Sequence, residues 1–177
     1  MKKLLIVLFL TLFAAPCFGS LIDANVVRGK PTLSAGFSLL QGFGLVTTAD
    51  FPMDGNLSLG GSLGYSFDAG NPYLMDLRMN LQFVEPSARN PICFSLVGGV
   101  WGGTSSGIWL SRNKQDFYVQ PEFGVAMTYL LNSRVTWRFN FVYGPSLGLE
   151  LGYKITPSLE GVFAISEQVI GIKFKVF

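Results

Sequence analysis

Between Asn56 and Asp68 the chain reads NLSLGGSLGYSFD, which sets Leu57, Leu59, Leu63, Tyr65 and Phe67 on one side of an extended strand and Ser58, Gly60, Ser62, Gly64 and Ser66 on the other. Successive side chains of a strand point to opposite faces, so a period of two marks a sheet with two chemically distinct sides. The pattern recurs along the chain. Leu33, Ala35, Phe37 and Leu39 alternate with Thr32, Ser34, Gly36 and Ser38; after a Gln41-Gly42 turn, Phe43, Leu45 and Phe51 oppose Gly44, Val46, Thr48 and Asp50. Asp54-Gly55-Asn56 is turn chemistry and leads into the quoted stretch. Tyr73, Met75, Leu77, Met79, Leu81 and Phe83 then oppose Asp76, Arg78, Asn80 and Gln82, until Pro86 to Pro91 ends the run. Further alternating segments run from Ile92 to about Trp101, Phe117 to Tyr129, Val135 to Tyr143, Leu147 to Lys154, Leu159 to Ile165 and Val169 to Phe177. This predicts an all-β chain of about ten antiparallel strands joined by consecutive hairpins, with eight as the alternative count and an odd count if the first two strands merge.

The fold turns on which face is inside. A soluble barrel wets its polar face, which is then rich in Lys, Glu and Arg; here that face is mostly Gly, Ser, Thr, Asn and Gln with isolated charges, which suits a crowded lumen. The apolar face carries large side chains on nearly every strand, too much bulk for the interior of one small barrel. With both termini at the same end, Tyr65, Phe67, Tyr73, Phe117 and Tyr143 collect at one rim and Phe51, Phe83, Tyr129, Trp137 and Tyr153 at the other, the two aromatic girdles of a membrane barrel. The long connection Thr104 to Asp116 falls at the first rim and the short turns at the second. The expected architecture is therefore an up-and-down transmembrane β-barrel with the leucines facing lipid. The competing reading is a soluble periplasmic lipid-carrying barrel.

The start MKKLLIVLFLTLFAAPCFGS has a basic opening, an apolar run from Leu4 to Ala15 and small residues near Gly19, the three parts of a secretory signal peptide. The run is short of the roughly 20 residues of a membrane helix. Residues 1–19 are read as that signal and 20–177 as one barrel domain; Pro16 argues against lipid attachment at Cys17. Without Lys2 and Lys3 the acids and bases are equal in number, so charge gives no argument for nucleic acid, and Cys93 is left as the one cysteine. Charged residues make up 14% of the chain, against about 25% in soluble domains, and mean hydropathy is +0.41.

With this alternation, the chain resembles small bacterial outer-membrane β-barrels of the OmpA, OmpX and OmpW kind. The resemblance is architectural and covers the whole mature chain. It implies an outer-membrane location, lipid and lipopolysaccharide as surroundings, and recognition of the C-terminal strand by the barrel-assembly machinery through Phe177. In VIGIKFKVF, Lys173 and Lys175 share the phase of Phe177, whereas Ile170, Ile172, Phe174 and Val176 form the apolar side, which departs from the usual signal.

Candidate chemistry is sparse. The chain has no histidine, on which small-barrel enzymes such as lipid A deacylases, palmitoyltransferases, omptin proteases and outer-membrane phospholipases rely, and no partner for a serine base stands out. No enzymatic activity, cofactor or metal is expected: Gly42-Phe43-Gly44 and Gly60-Gly61 open no helix, and Asp54-Gly55-Asn56 lacks calcium-loop spacing. Trp109, Arg112 and Lys114 are candidate contacts for a surface partner or lipid headgroup, the basis of an alternative role as an interaction or adhesion module acting through residues 104–116. The inward phase is more informative. It holds Asp50, Asp76, Glu122, Glu150 and Glu160 with Arg78, Arg138, Lys154, Lys173 and Lys175, a balanced set that predicts ion pairing. A hairpin centred on Gly144 sets Arg138 opposite Glu150. These residues predict either a narrow porin-like channel for small polar solutes or a structural membrane protein with an ion-paired lumen. About ten strands lies near the side-chain-filled end of barrel sizes.

Overall fold

The computed structural model describes residues 30–38, 44–53, 55–67, 73–104, 117–143, 146–166 and 170–176. Their strands, in chain order, are β1 (Thr32–Ser38), β2 (Gly44–Pro52), β3 (Leu57–Ser66), β4 (Tyr73–Val84), β5 (Ile92–Thr104), β6 (Tyr118–Leu130), β7 (Val135–Tyr143), β8 (Ser146–Thr156), β9 (Leu159–Ser166) and β10 (Ile170–Val176). Each pairs antiparallel with its sequence neighbours, and β1 pairs with β10, so ten strands close into an up-and-down barrel. Closure removes both sheet edges and satisfies the backbone laterally, a requirement wherever no water reaches it. The eight-strand and odd counts are thereby excluded.

Chain reversal at one end is local and side-chain driven. Gly55 takes φ 75° between β2 and β3, the left-handed region where a Cβ is disfavoured. Between β6 and β7, Asn132 Oδ1 accepts hydrogen bonds from the Arg134 and Val135 amides, both at 2.8 Å, an Asx turn that sets the β7 register. Ser87 and Asn90 close the β4–β5 turn through N–H to carbonyl bonds of 2.7 and 3.2 Å. β5 runs to Thr104, three residues past the end read from the sequence, because Gly102 and Gly103 continue the ladder against Val119 and Tyr118.

The two faces of the sheet are inverted relative to a soluble barrel. Seventeen of the buried described residues are polar or charged and nine are hydrophobic. Phe141 is 69% exposed and Leu77 57%, while Arg78 is 1% and Glu160 0% exposed. Leu33, Leu45, Leu59, Leu63, Met75, Met79, Leu81, Leu96, Val119, Phe123 and Phe139 all lie on the exposed outer face. In water such a continuous apolar surface would drive association, since monomeric soluble proteins keep apolar patches to a few hundred Å². Hydrocarbon is the solvent that fits it.

The rims carry the aromatics. At the end bearing the β3–β4 and β5–β6 connections, Tyr65 stands opposite Tyr73 in the ladder, Tyr65 meets Phe67 edge to face at 5.4 Å, and Tyr143 stacks on Phe123 at 5.1 Å. At the turn end, Tyr129 stands opposite Trp137, Trp137 stacks on Phe139 at 6.4 Å, Phe83 on Phe94 at 6.0 Å, and Tyr153 pairs with Val135. Amphipathic rings at both rims bracket the apolar band between them.

This arrangement makes a prediction about the outer face. Leu77→Lys is expected to lower the unfolding free energy in lipid vesicles by about 2–4 kcal/mol, the cost of a cation near the bilayer midplane. Equilibrium denaturant unfolding measures it, and a neutral effect would place Leu77 in contact with water.

Candidate functional site

The inward face of β4 presents Leu74, Asp76, Arg78, Asn80 and Gln82, all buried. Arg78 is paired with Gly60 on β3 and with Gly99 on β5. With no side chain on either flank, its guanidinium lies across the sheet: Nη1 donates to Asp76 Oδ1 at 2.6 Å, and Nη2 reaches over β3 to Asp50 Oδ1 on β2 at 3.1 Å. A Cβ at Gly60 would run into the Asp50 carboxylate. Asp76 also accepts a hydrogen bond from the Ser62 hydroxyl, and Ser34 bonds Thr48 in the same inward row. The small residues of β1–β3 thus give the β4 arginine space and partners.

The same device recurs on the opposite run of strands. Arg138 on β7 stands directly across from Glu150 on β8, with Nη1 3.6 Å from Glu150 Oε2. Its shorter contacts go one strand further: Nη2 donates to both Oε1 and Oε2 of Glu160 on β9, each at 2.8 Å. The path crosses β8 at Gly152, where a Cβ would collide with the Glu160 carboxylate and come within 2.8 Å of Arg138 Nη1. Lys154 on β8 and Lys175 on β10 both hold ladder positions opposite Glu160, and Lys173 stands opposite Val162. Two arginines therefore each bind two carboxylates and stitch together strands that are not hydrogen-bonded neighbours.

Glu122 behaves differently from the other luminal acids. It is 2% exposed and within electrostatic reach of Asp76 and Arg78, yet neither of its carboxylate oxygens accepts a hydrogen bond among the described residues. Pairing, the expectation from the balanced inward charges, holds at Asp50, Asp76, Glu150 and Glu160, whereas Glu122 feels the Arg78 charge without accepting a hydrogen bond among the described residues.

Two apolar patches lie among the described interior residues. Leu74 and Trp101 form one, with Tyr118 packed against them and its ring meeting Trp101 edge to face at 5.3 Å. Cys93, Val97, Ala126 and Val142 form the other, on the β5–β7 wall. Sequence reading missed the inward turn of Trp101. The phase that groups Cys93, Ser95 and Gly99 opposite Phe94, Leu96 and Val100, carried two residues further, sends Trp101 inward. Trp109, Arg112, Lys114 and Phe177, like the signal residues 1–19 and most of the loop 104–116, lie outside the described residues.

No three His, Cys, Asp or Glu side chains among the described residues are grouped to hold a metal ion. Among solved structures, the chain is similar to the crystal structure of the N-terminal β-barrel domain of Pseudomonas aeruginosa OprF, with a TM-score of 0.46, 12% sequence identity, and coverage of 82% of this chain and 95% of that one. No family model matches the chain, and no curated protein matches it.

The clamp geometry predicts the effect of substitutions. Arg138→Ala leaves two buried carboxylates without their cation and is expected to cost about 3–5 kcal/mol of stability. Gly152→Val, which obstructs the same contact without removing a charge, is expected to approach that loss. Gly98→Val, at an outward position where a Cβ meets nothing within 4 Å, is expected to change stability by less than about 0.5 kcal/mol. Denaturant unfolding of the three variants side by side checks the contrast.

Proposed function

We propose that the protein is an outer-membrane β-barrel whose lumen is closed in its resting state by the Arg78 and Arg138 clamps, a structural membrane protein rather than a standing pore. The observation that carries this reading is the burial of the luminal charges: Arg78, Glu122, Arg138, Glu150 and Glu160 are each at most 4% exposed, so these side chains fill the interior rather than line a water-filled channel. A barrel of ten strands lies near the size at which side chains fill the interior, and the clamps add ionic cross-links to that filling. An outer-membrane address is supported by the signal-like N-terminus together with spanning by closed strands, in which every backbone group pairs laterally. In this reading the outer leaflet's lipid and lipopolysaccharide surround the aromatic rim at Tyr65, Tyr73 and Tyr143. The barrel-assembly machinery recognises the C-terminal segment through Phe177.

Liposome swelling with small sugars and amino acids tests the closed lumen. The folded wild-type protein is expected to give no flux above protein-free liposomes, and the double variant Arg78→Ala/Arg138→Ala to give measurable flux. Wild-type flux at the level of an open channel would replace this reading with the narrow porin.

A further inference from the structure

The luminal layer around Arg78 holds three carboxyl groups and one guanidinium. Asp50, Asp76 and Glu122 share one guanidinium, and Arg78 is engaged by the first two, at 3.1 and 2.6 Å. Glu122 remains, 2% exposed, with both oxygens lacking a hydrogen-bond donor among the described residues. Burying a carboxyl group that accepts no hydrogen bond is costly in a protein interior. Its ladder neighbour on β5 is Gly99, which contributes no side chain to the space beside it. One inward position further along β5, Trp101 is 6% exposed and its Nε1–H likewise has no acceptor. An acceptor without a donor and a donor without an acceptor thus stand on adjacent strands of one wall.

We propose that this layer binds a small singly charged cation at Glu122, beside Asp76. The occupant is either an alkali ion or the ammonium head of a small amine; the two share the chemistry of a compact monovalent cation, which carboxylate oxygens coordinate in the first case and accept hydrogen bonds from in the second. Divalent chelation is not favoured, since no three carboxylates among the described residues are grouped around a common point. The Trp101 N–H supplies the complementary donor for a hydration water or hydroxyl that the cation carries. The proposal goes beyond the closed-lumen reading and does not depend on it, because a conducting wild-type barrel would still show the binding response below.

The test uses the full chain folded in detergent micelles, with thermal unfolding followed in potassium, methylammonium and tetramethylammonium chloride at equal ionic strength. Fluorescence in a Trp109→Phe/Trp137→Phe background reports Trp101. Relative to tetramethylammonium, which is bulky and has no N–H donor, potassium or methylammonium is expected to raise the unfolding midpoint saturably, by roughly 4 °C at ten times half-saturation, and to change Trp101 emission over the same range. A response to potassium alone assigns an alkali ion, and one to methylammonium alone assigns an amine. Glu122→Gln is expected to abolish the response and Glu150→Gln to retain it. Glu122→Asp, which keeps the charge on a shorter arm, is expected to weaken half-saturation about tenfold and carries the test if the glutamine variant does not fold. Equal behaviour in the three salts, a response that survives Glu122→Gln, or an unchanged half-saturation in Glu122→Asp overturns the proposal.

Discussion

The structure depends on burying charge inside a small barrel without leaving it unpaired. An arginine pointing into a narrow lumen has neither lipid nor bulk water to satisfy it, and its energy is set by the carboxylates it reaches. Here the reach is lateral. Arg78 crosses β3 to Asp50 and Arg138 crosses β8 to Glu160, and in both cases the strand that is crossed offers glycine at the crossing point. Glycine in a strand forfeits side-chain packing and backbone entropy. At Gly60 and Gly152 that loss is offset by a charge-assisted contact that links second-neighbour strands and resists slippage of register.

Closing the lumen in this way leaves the apolar residues no place but the outside. With the described interior occupied by arginines, carboxylates, hydroxyls and two compact apolar patches, large apolar side chains form the exterior of the described strand faces. The rim aromatics bound that exterior at both ends. The same alternation that sends Arg78 and Asp76 inward sends Leu77 and Met79 outward, and a one-residue slip would exchange the two sets. Lumen chemistry and lipid compatibility are therefore one property of the sequence.

The strands were legible because a period of two is unambiguous when bulky apolar and polar residues alternate along most of a strand, as in β4 and β7. The facing of Arg138 and Glu150 followed from a single hairpin register. The stronger contact with Glu160 did not, because it compounds two registers and the second contains an irregularity between Lys154 and Thr156. The clamps were hidden in glycines, which in a linear reading signal only turns or lumen. Their role emerges at Gly60 once two adjacent ladders place it between Asp50 and Arg78; at Gly152, whose ladder partners are Thr136 and Val162, it emerges only from the side chains that pass over it. The lack of a hydrogen bond at Glu122 was illegible for the converse reason: a balanced count of charges does not reveal that one arginine donates to two acids while a third only shares its field.

The most direct test of the inverted barrel is the quenching of single-tryptophan variants in vesicles. With the other two tryptophans replaced by phenylalanine, Trp137 on the outer face is expected to be quenched by lipids brominated on their acyl chains. Trp101 in the lumen is expected to be quenched neither by those lipids nor by aqueous iodide. Quenching of Trp101 by brominated lipid, with Trp137 protected, would mean that the faces are assigned the wrong way round and would contradict the account.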